Sequence, residues 1–182
     1  MKRVVLIALG ALAVAAGAVA QTPAEDIEKA LAAAPRNARD AAMVIRWKPD
    51  FTYDTLRPGT SRLVCYDQSG LPTEQPFSVQ CTSVGNLERV AQNRKLEVQT
   101  DRALRQAAID AAEKDGTRVK PEFGSVWYTL SGADRATARL HMTIAVPGAT
   151  TATLGLPDNN KMGGAWIMNA GTSTAHIMVP GS

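Results

Sequence analysis

Side chains that usually carry enzyme chemistry are scarce in this sequence. Its 182 residues hold two histidines and two cysteines. The cysteines, Cys65 and Cys81, lie 16 apart, which excludes a Cys-x-x-Cys redox centre and a zinc knuckle. Aromatic residues make up only 5% of the chain. That speaks against a sugar-stacking surface, and Trp47, Trp127 and Trp166 each fall in a strand-like segment where core packing explains them. There is no run of like charge to track a phosphate backbone, so nucleic acid is excluded as a partner. His-Glu-x-x-His, the phosphate-binding Gly-x-x-x-x-Gly-Lys-Ser/Thr and the dinucleotide Gly-x-Gly-x-x-Gly are all missing.

What is present begins with a secretory signal. Met1-Lys2-Arg3 is a short basic start, Val4 to Ala20 is an apolar stretch, and Ala18-Val19-Ala20 places small residues where a signal peptidase reads them. The apolar run sits at the lower limit of the ~17–25 residues a spanning helix needs, and much of it is Ala and Gly. Residues 1–20 therefore read as a cleaved signal peptide, and 21–182 as one soluble domain, periplasmic or secreted. Losing Lys2 and Arg3 lowers the net charge from +3 to +1. No later stretch is apolar for long enough to span a bilayer. In an oxidising compartment Cys65 and Cys81 read as a disulfide stapling the loop between them.

Periodicity then divides the chain. Thr22-Pro23-Ala24-Glu25 is a capping box with proline at the first helical position, predicting a helix over about 23–33. Residues 42–47, 51–57 and 61–66 read as strands, the last two as a hairpin around Pro58-Gly59. A helix is expected over about 83–97. Another, capped by Thr100 or Asp101, should run to Lys114 and stop at Gly116. Its small apolar stripe, Leu104, Ala107, Ala108 and Ala111, predicts close packing on a neighbour. Strands return at 125–130, 138–146, 165–168 and 175–179. Strands at both ends with helices between them argue an α+β domain, an antiparallel sheet with two or three helices.

The remaining motifs are weak. Gly171-Thr172-Ser173-Thr174-Ala175 is a relaxed form of the serine-hydrolase elbow, but a strand follows it where a helix is required, so Ser173 reads as a turn residue. Asp158-Asn159-Asn160 opens like a calcium loop, and Asn169 stands where its closing glutamate should be. Histidine usage is the one constellation left. His141 has Met142 beside it, and His176 has Met178 two residues on. The His141 and His176 strands should share one sheet, with the Trp166 strand paired to the His176 strand. Converging imidazoles and thioethers would suit a soft or borderline transition metal such as copper. The alternative makes both histidines half-buried strand residues and both methionines core filler.

The segments Ala34-Pro35 to Trp47, the Cys65–Cys81 loop, His141-Met142, and Gly163-Gly164-Ala165-Trp166-Ile167-Met168 through His176-Ile177-Met178-Val179-Pro180 resemble a family of uncharacterised exported bacterial proteins. The chain departs from that pattern between about Arg94 and Val119. The resemblance implies export, a single domain and a framework role for the two histidine segments. It implies no reaction, ligand or catalytic residue. The expected function is therefore that of an exported, non-enzymatic binding or scaffold domain with an unidentified partner. The alternative is a metal-binding or enzymatic protein using His141 and His176.

Overall fold

Thr22 closes the capping box that the sequence predicts. Its hydroxyl accepts the Glu25 N–H at 3.3 Å, and the Glu25 carboxylate accepts the Thr22 N–H at 2.8 Å. Helix α1, Pro23–Ala30, starts there and tightens into a 3-10 turn, Leu31–Ala33, before Pro35. The computed structural model describes residues 22–179; the expected signal segment and its cleavage point lie outside the described residues.

Eight strands follow: β1 Met43–Trp47, β2 Tyr53–Arg57, β3 Leu63–Asp67, β4 Phe77–Ser83, β5 Val126–Gly132, β6 Arg139–Ala145, β7 Trp166–Met168 and β8 His176–Met178. They form one sheet in the order β2-β1-β3-β4-β5-β6-β8-β7, antiparallel throughout except for β1 beside β3. Helices α2 (Leu87–Glu97) and α3 (Arg102–Asp115) lie between β4 and β5, and the single turn α4 (Thr151–Leu154) follows β6. The domain is α+β, as expected.

Successive residues on each strand point to opposite faces, and both faces of the β1–β3 region are covered. On one face Val44, Cys65, Val79 and Cys81 pack against Ala30, Ala33 and Ala34 of the N-terminal helix. On the other, Ile45, Val64 and Tyr66 pack against Leu87 and Val90 of α2. Trp47 and Trp127 pack on this second cluster, which accounts for both without a sugar. A third cluster, Val146, Ala149, Ile167 and Ala175, closes the far end. Cys65 and Cys81 sit directly opposite each other in the β3–β4 register and are joined by a disulfide buried beneath α1. Among the described residues no helix is long and apolar enough to cross a membrane.

Two expectations fail. β2 and β3 do not form a hairpin, because β1 lies between them. The tight turn is the earlier one: Lys48 N–H donates to Thr52 O at 2.8 Å, Phe51 N–H donates to Lys48 O at 3.0 Å, and Phe51 takes the left-handed φ of 66°. The Pro58-Gly59 segment instead carries the chain across the start of β1. Thr60 and Ser61 N–H both donate to Ala41 O at 2.9 Å. Gly59 is pressed so close that a Cβ would stand 2.3 Å from Met43 N, so only glycine lets the crossing pass and lays β3 parallel to β1.

The second failure is the phase of α3. Asp101 caps it and Gly116 ends it in the left-handed region, as predicted, but Leu104 is 58% exposed and Ala107, Ala108 and Ala111 face solvent. The half-buried positions are Arg105, Ile109, Ala112 and Glu113. A polar partner sets this phase: Glu113 binds Ser173, and rotating the alanines inward would break that contact.

Candidate functional site

Arg89 and Asn93 lie one turn apart on α2, beside the Leu87–Val90 face, and reach over the sheet where β5, β6 and β8 run together. Arg89 is only 3% exposed. Its guanidinium donates to the Val119 carbonyl and, at 2.9 Å each, to the Ser173 and Thr174 hydroxyls. The Ser173 hydroxyl in turn donates to Glu113, whose other oxygen accepts the Ser173 N–H at 3.1 Å. Two hydroxyls thus stand between the cation and the carboxylate. Burial pulls Arg89 down to about 10, with the neighbouring Arg118 pulling the same way and Glu113 opposing; it is still a cation at neutral pH. Burial pushes Glu113 upward, but the Ser173 hydroxyl and amide, with Arg89 beyond them, outweigh it and hold the carboxyl below its usual range.

Arg118 forms a second buried cation, 7% exposed. It donates to Gln92 Oε1 and Asn93 Oδ1, both at 2.6 Å, so neutral amides hold it in place. Burial lowers its pKa, while Glu113 and Glu97 act in the other direction.

Beside Arg89 is a cavity of about 130 Å³ lined by Asn93, Trp127, Thr143, Thr174 and His176. Its floor follows from the strand register. Thr143 lies opposite Trp127, and Ala145 lies opposite His176. Two small residues therefore stand between two large rings, and the space between the rings stays open. Among the described residues Arg89 is the one charged side chain lining this cavity.

Ser173 is the turn residue expected, but it is buried, at 5% exposure. Its hydroxyl accepts from Arg89 and donates to Glu113, so both of its roles are occupied by structural contacts. His176 Nδ1 lies 2.7 Å from the Thr174 carbonyl. A carbonyl only accepts, so the Nδ1 proton is fixed there and the lone pair of the neutral ring is on Nε2.

The β6 and β8 strands are neighbours and β8 pairs with β7, as the sequence predicts. His141 and His176 also share a face, since His141 and Ala145 alternate in phase and Ala145 opposes His176. The register does not bring them together. Four residues of β6 separate His141 from Ala145, roughly 13 Å at about 3.3 Å per residue. Met142 turns to the opposite face. Met178 stays with His176, and the sheet adds two neighbours that periodicity did not pair with it: Met168 directly opposite His176, and Trp166 directly opposite Met178. Among the described residues no group of three or more His, Cys, Asp or Glu could hold a metal ion. Arg89, Asn93 and Glu113 were not singled out by sequence, because a lone arginine on an amphipathic helix carries no signal of burial. Comparison with family models, with curated proteins and with solved structures finds no match to the chain.

Proposed function

We propose that the protein is an exported, non-enzymatic binding domain that holds a small anionic ligand in the Arg89 cavity. One observation carries this reading: a buried guanidinium, held by neutral acceptors, is among the described residues the only full charge lining a cavity with an aromatic wall. A preformed pocket with mostly apolar walls and a few fixed polar groups is the usual form of a small-molecule site. At about 130 Å³ it has room for a ligand near the size of a benzene ring. After its bonds to Val119, Ser173 and Thr174, Arg89 keeps Nε–H and one Nη2–H, a pair of donors that matches a carboxylate, and Trp127 lines the same cavity. The non-enzymatic part is supported by Ser173 and His176 Nδ1, whose hydrogen bonds are spent on the fold. Export is supported by the signal-like start and by the disulfide.

The test is thermal unfolding of the purified protein against a panel of small carboxylates and their primary amides. The expected result is a saturable rise in Tm with one or more carboxylates and none with the matched amides. Thr143→Leu, which fills the floor, should abolish the rise while far-UV circular dichroism stays unchanged. If no carboxylate stabilises the wild type, or if T143L responds as the wild type does, the reading fails.

A further inference from the structure

The β7–β8 hairpin presents an unusual set of side chains on one face. Trp166 opposes Met178 and Met168 opposes His176, while the intervening pair, Ile167 and Ile177, turns to the other face and its apolar cluster. Directly opposed residues in an antiparallel pair have Cβ atoms about 4.5–5.5 Å apart, and the next pair along is about 7 Å away. Four side chains thus rise from the corners of a small rectangle: two thioethers, one imidazole and one indole. Met168 is 40% exposed, and His176, Met178 and Trp166 are half-buried, so the rectangle opens to solvent at the edge of the sheet.

We infer that this rectangle is a binding site for a soft monovalent cation, Cu(I) or Ag(I), with Met168 Sδ, Met178 Sδ and His176 Nε2 as its ligands. Three facts converge. Thioether sulfur selects soft ions over zinc, calcium or magnesium. Methionine has three rotatable bonds, which lets two sulfurs reach one point above a sheet. The Thr174 carbonyl fixes the proton on His176 Nδ1, which leaves the lone pair on Nε2 and holds the ring, the part an outer hydrogen bond plays for a metal-ligating histidine. Trp166, the fourth corner, stands directly opposite Met178, which puts an indole beside the site as a fluorescent reporter. None of the four corners is acidic, so the ligand set is neutral and suits a single positive charge. The site differs from the one periodicity suggests: Met168 takes the third position, and His141 and Met142 have no part in it. It adjoins the Arg89 cavity, whose lining includes His176 and the Thr143 that opposes Met178, but Met168 lies outside that lining, so M168L separates silver binding from any ligand of the cavity.

The test is titration of the exported protein with silver nitrate in chloride-free buffer, followed by calorimetry and by tryptophan fluorescence. One Ag(I) per chain is expected. Met168→Leu and Met178→Leu conserve volume and should each weaken binding by at least about tenfold. Met142→Leu on the opposite face and His141→Gln along β6 should bind as the wild type does. Absence of silver binding by the wild type overturns the inference. So does binding that survives both M168L and M178L, or that falls equally in M142L or H141Q.

Discussion

Two glutamates flank the buried arginines, and the protein treats them in opposite ways. Glu97, at the end of α2, is half-buried; burial and then the nearby Glu74 carboxylate push its pKa up, more than Arg94, Arg105 and Arg118 pull it down. Glu113 is held low by its bonds from Ser173 despite its own desolvation. The signs follow from linkage. A carboxyl raised in the folded state supports stability below its unfolded pKa and loses that support as pH rises through the folded value. One that is lowered supports stability above its unfolded pKa and loses it as pH falls through the folded value. Glu97→Gln is therefore expected to raise Tm at neutral pH, with the gain vanishing near about pH 4, where the wild-type carboxyl is largely protonated in both states. Glu113→Gln is expected to lower Tm at neutral pH and to do so less in acid. Thermal unfolding of the three proteins across that range decides it, and parallel pH curves would contradict the account.

The third helix separates propensity from packing. Its caps work as the sequence predicts, with the Asp101 carboxylate accepting Ala103 N–H at 2.8 Å and Leu104 N–H at 3.0 Å. Its rotation about its own axis does not, since Leu104 and three alanines face water while Ile109 and Glu113 turn inward. A change at Leu104 therefore touches little. Leu104→Gln is expected to shift stability by no more than about 0.5 kcal/mol. Ile109→Ala, on the half-buried side, is expected to cost about 1 kcal/mol or more, though less than the ~2–5 of a fully buried site. Urea unfolding of both variants measures this, and a larger loss at Leu104 would place the stripe against a neighbour after all. The β1–β2–β3 segment makes the same point. Strand positions are legible from Pro49, Pro58 and Gly59, but which strand pairs with which depends on Ala41, whose carbonyl takes both crossing N–H groups.

At the scale of the whole molecule, covalent and apolar restraints concentrate at one end of the sheet. α1 and α2 clasp β1, β3 and β4 from both faces, the disulfide crosses β3 and β4, and ion pairs Lys29–Asp67 and Arg46–Asp26 tie α1 to the strands beneath it. The β6–β8–β7 end has a smaller cluster and carries both proposed binding features. A rigid frame at one end with ligand groups at the other is a common division of labour. Export tests the whole-chain reading. The protein recovered from the periplasm or medium is expected to begin at Gln21, and alkylation should find two thiols only after reduction. N-terminal sequencing and intact mass settle both, and a chain still beginning near Met1 would refute the export reading.

Element types were set by local chemistry and could be read directly: the Thr22 capping box, the Asp101 and Gly116 ends of α3, the alternation through His141 to Ala145, and the pairing of the last two strands around Asn169–Thr172. The Cys65–Cys81 bridge could be read because no other cysteine competes. These features depend on neighbours in sequence, or on there being one choice. The order of β2 and β3 about β1, the phase of α3, the burial of Arg89 and Arg118, and the meeting of Met168 with His176 depend on pairing between distant segments. Side-chain period is two in a strand and 3.6 in a helix, so a pattern states which residues share a face. Which partner that face meets, and in what register, is decided only when the sheet closes around its helices.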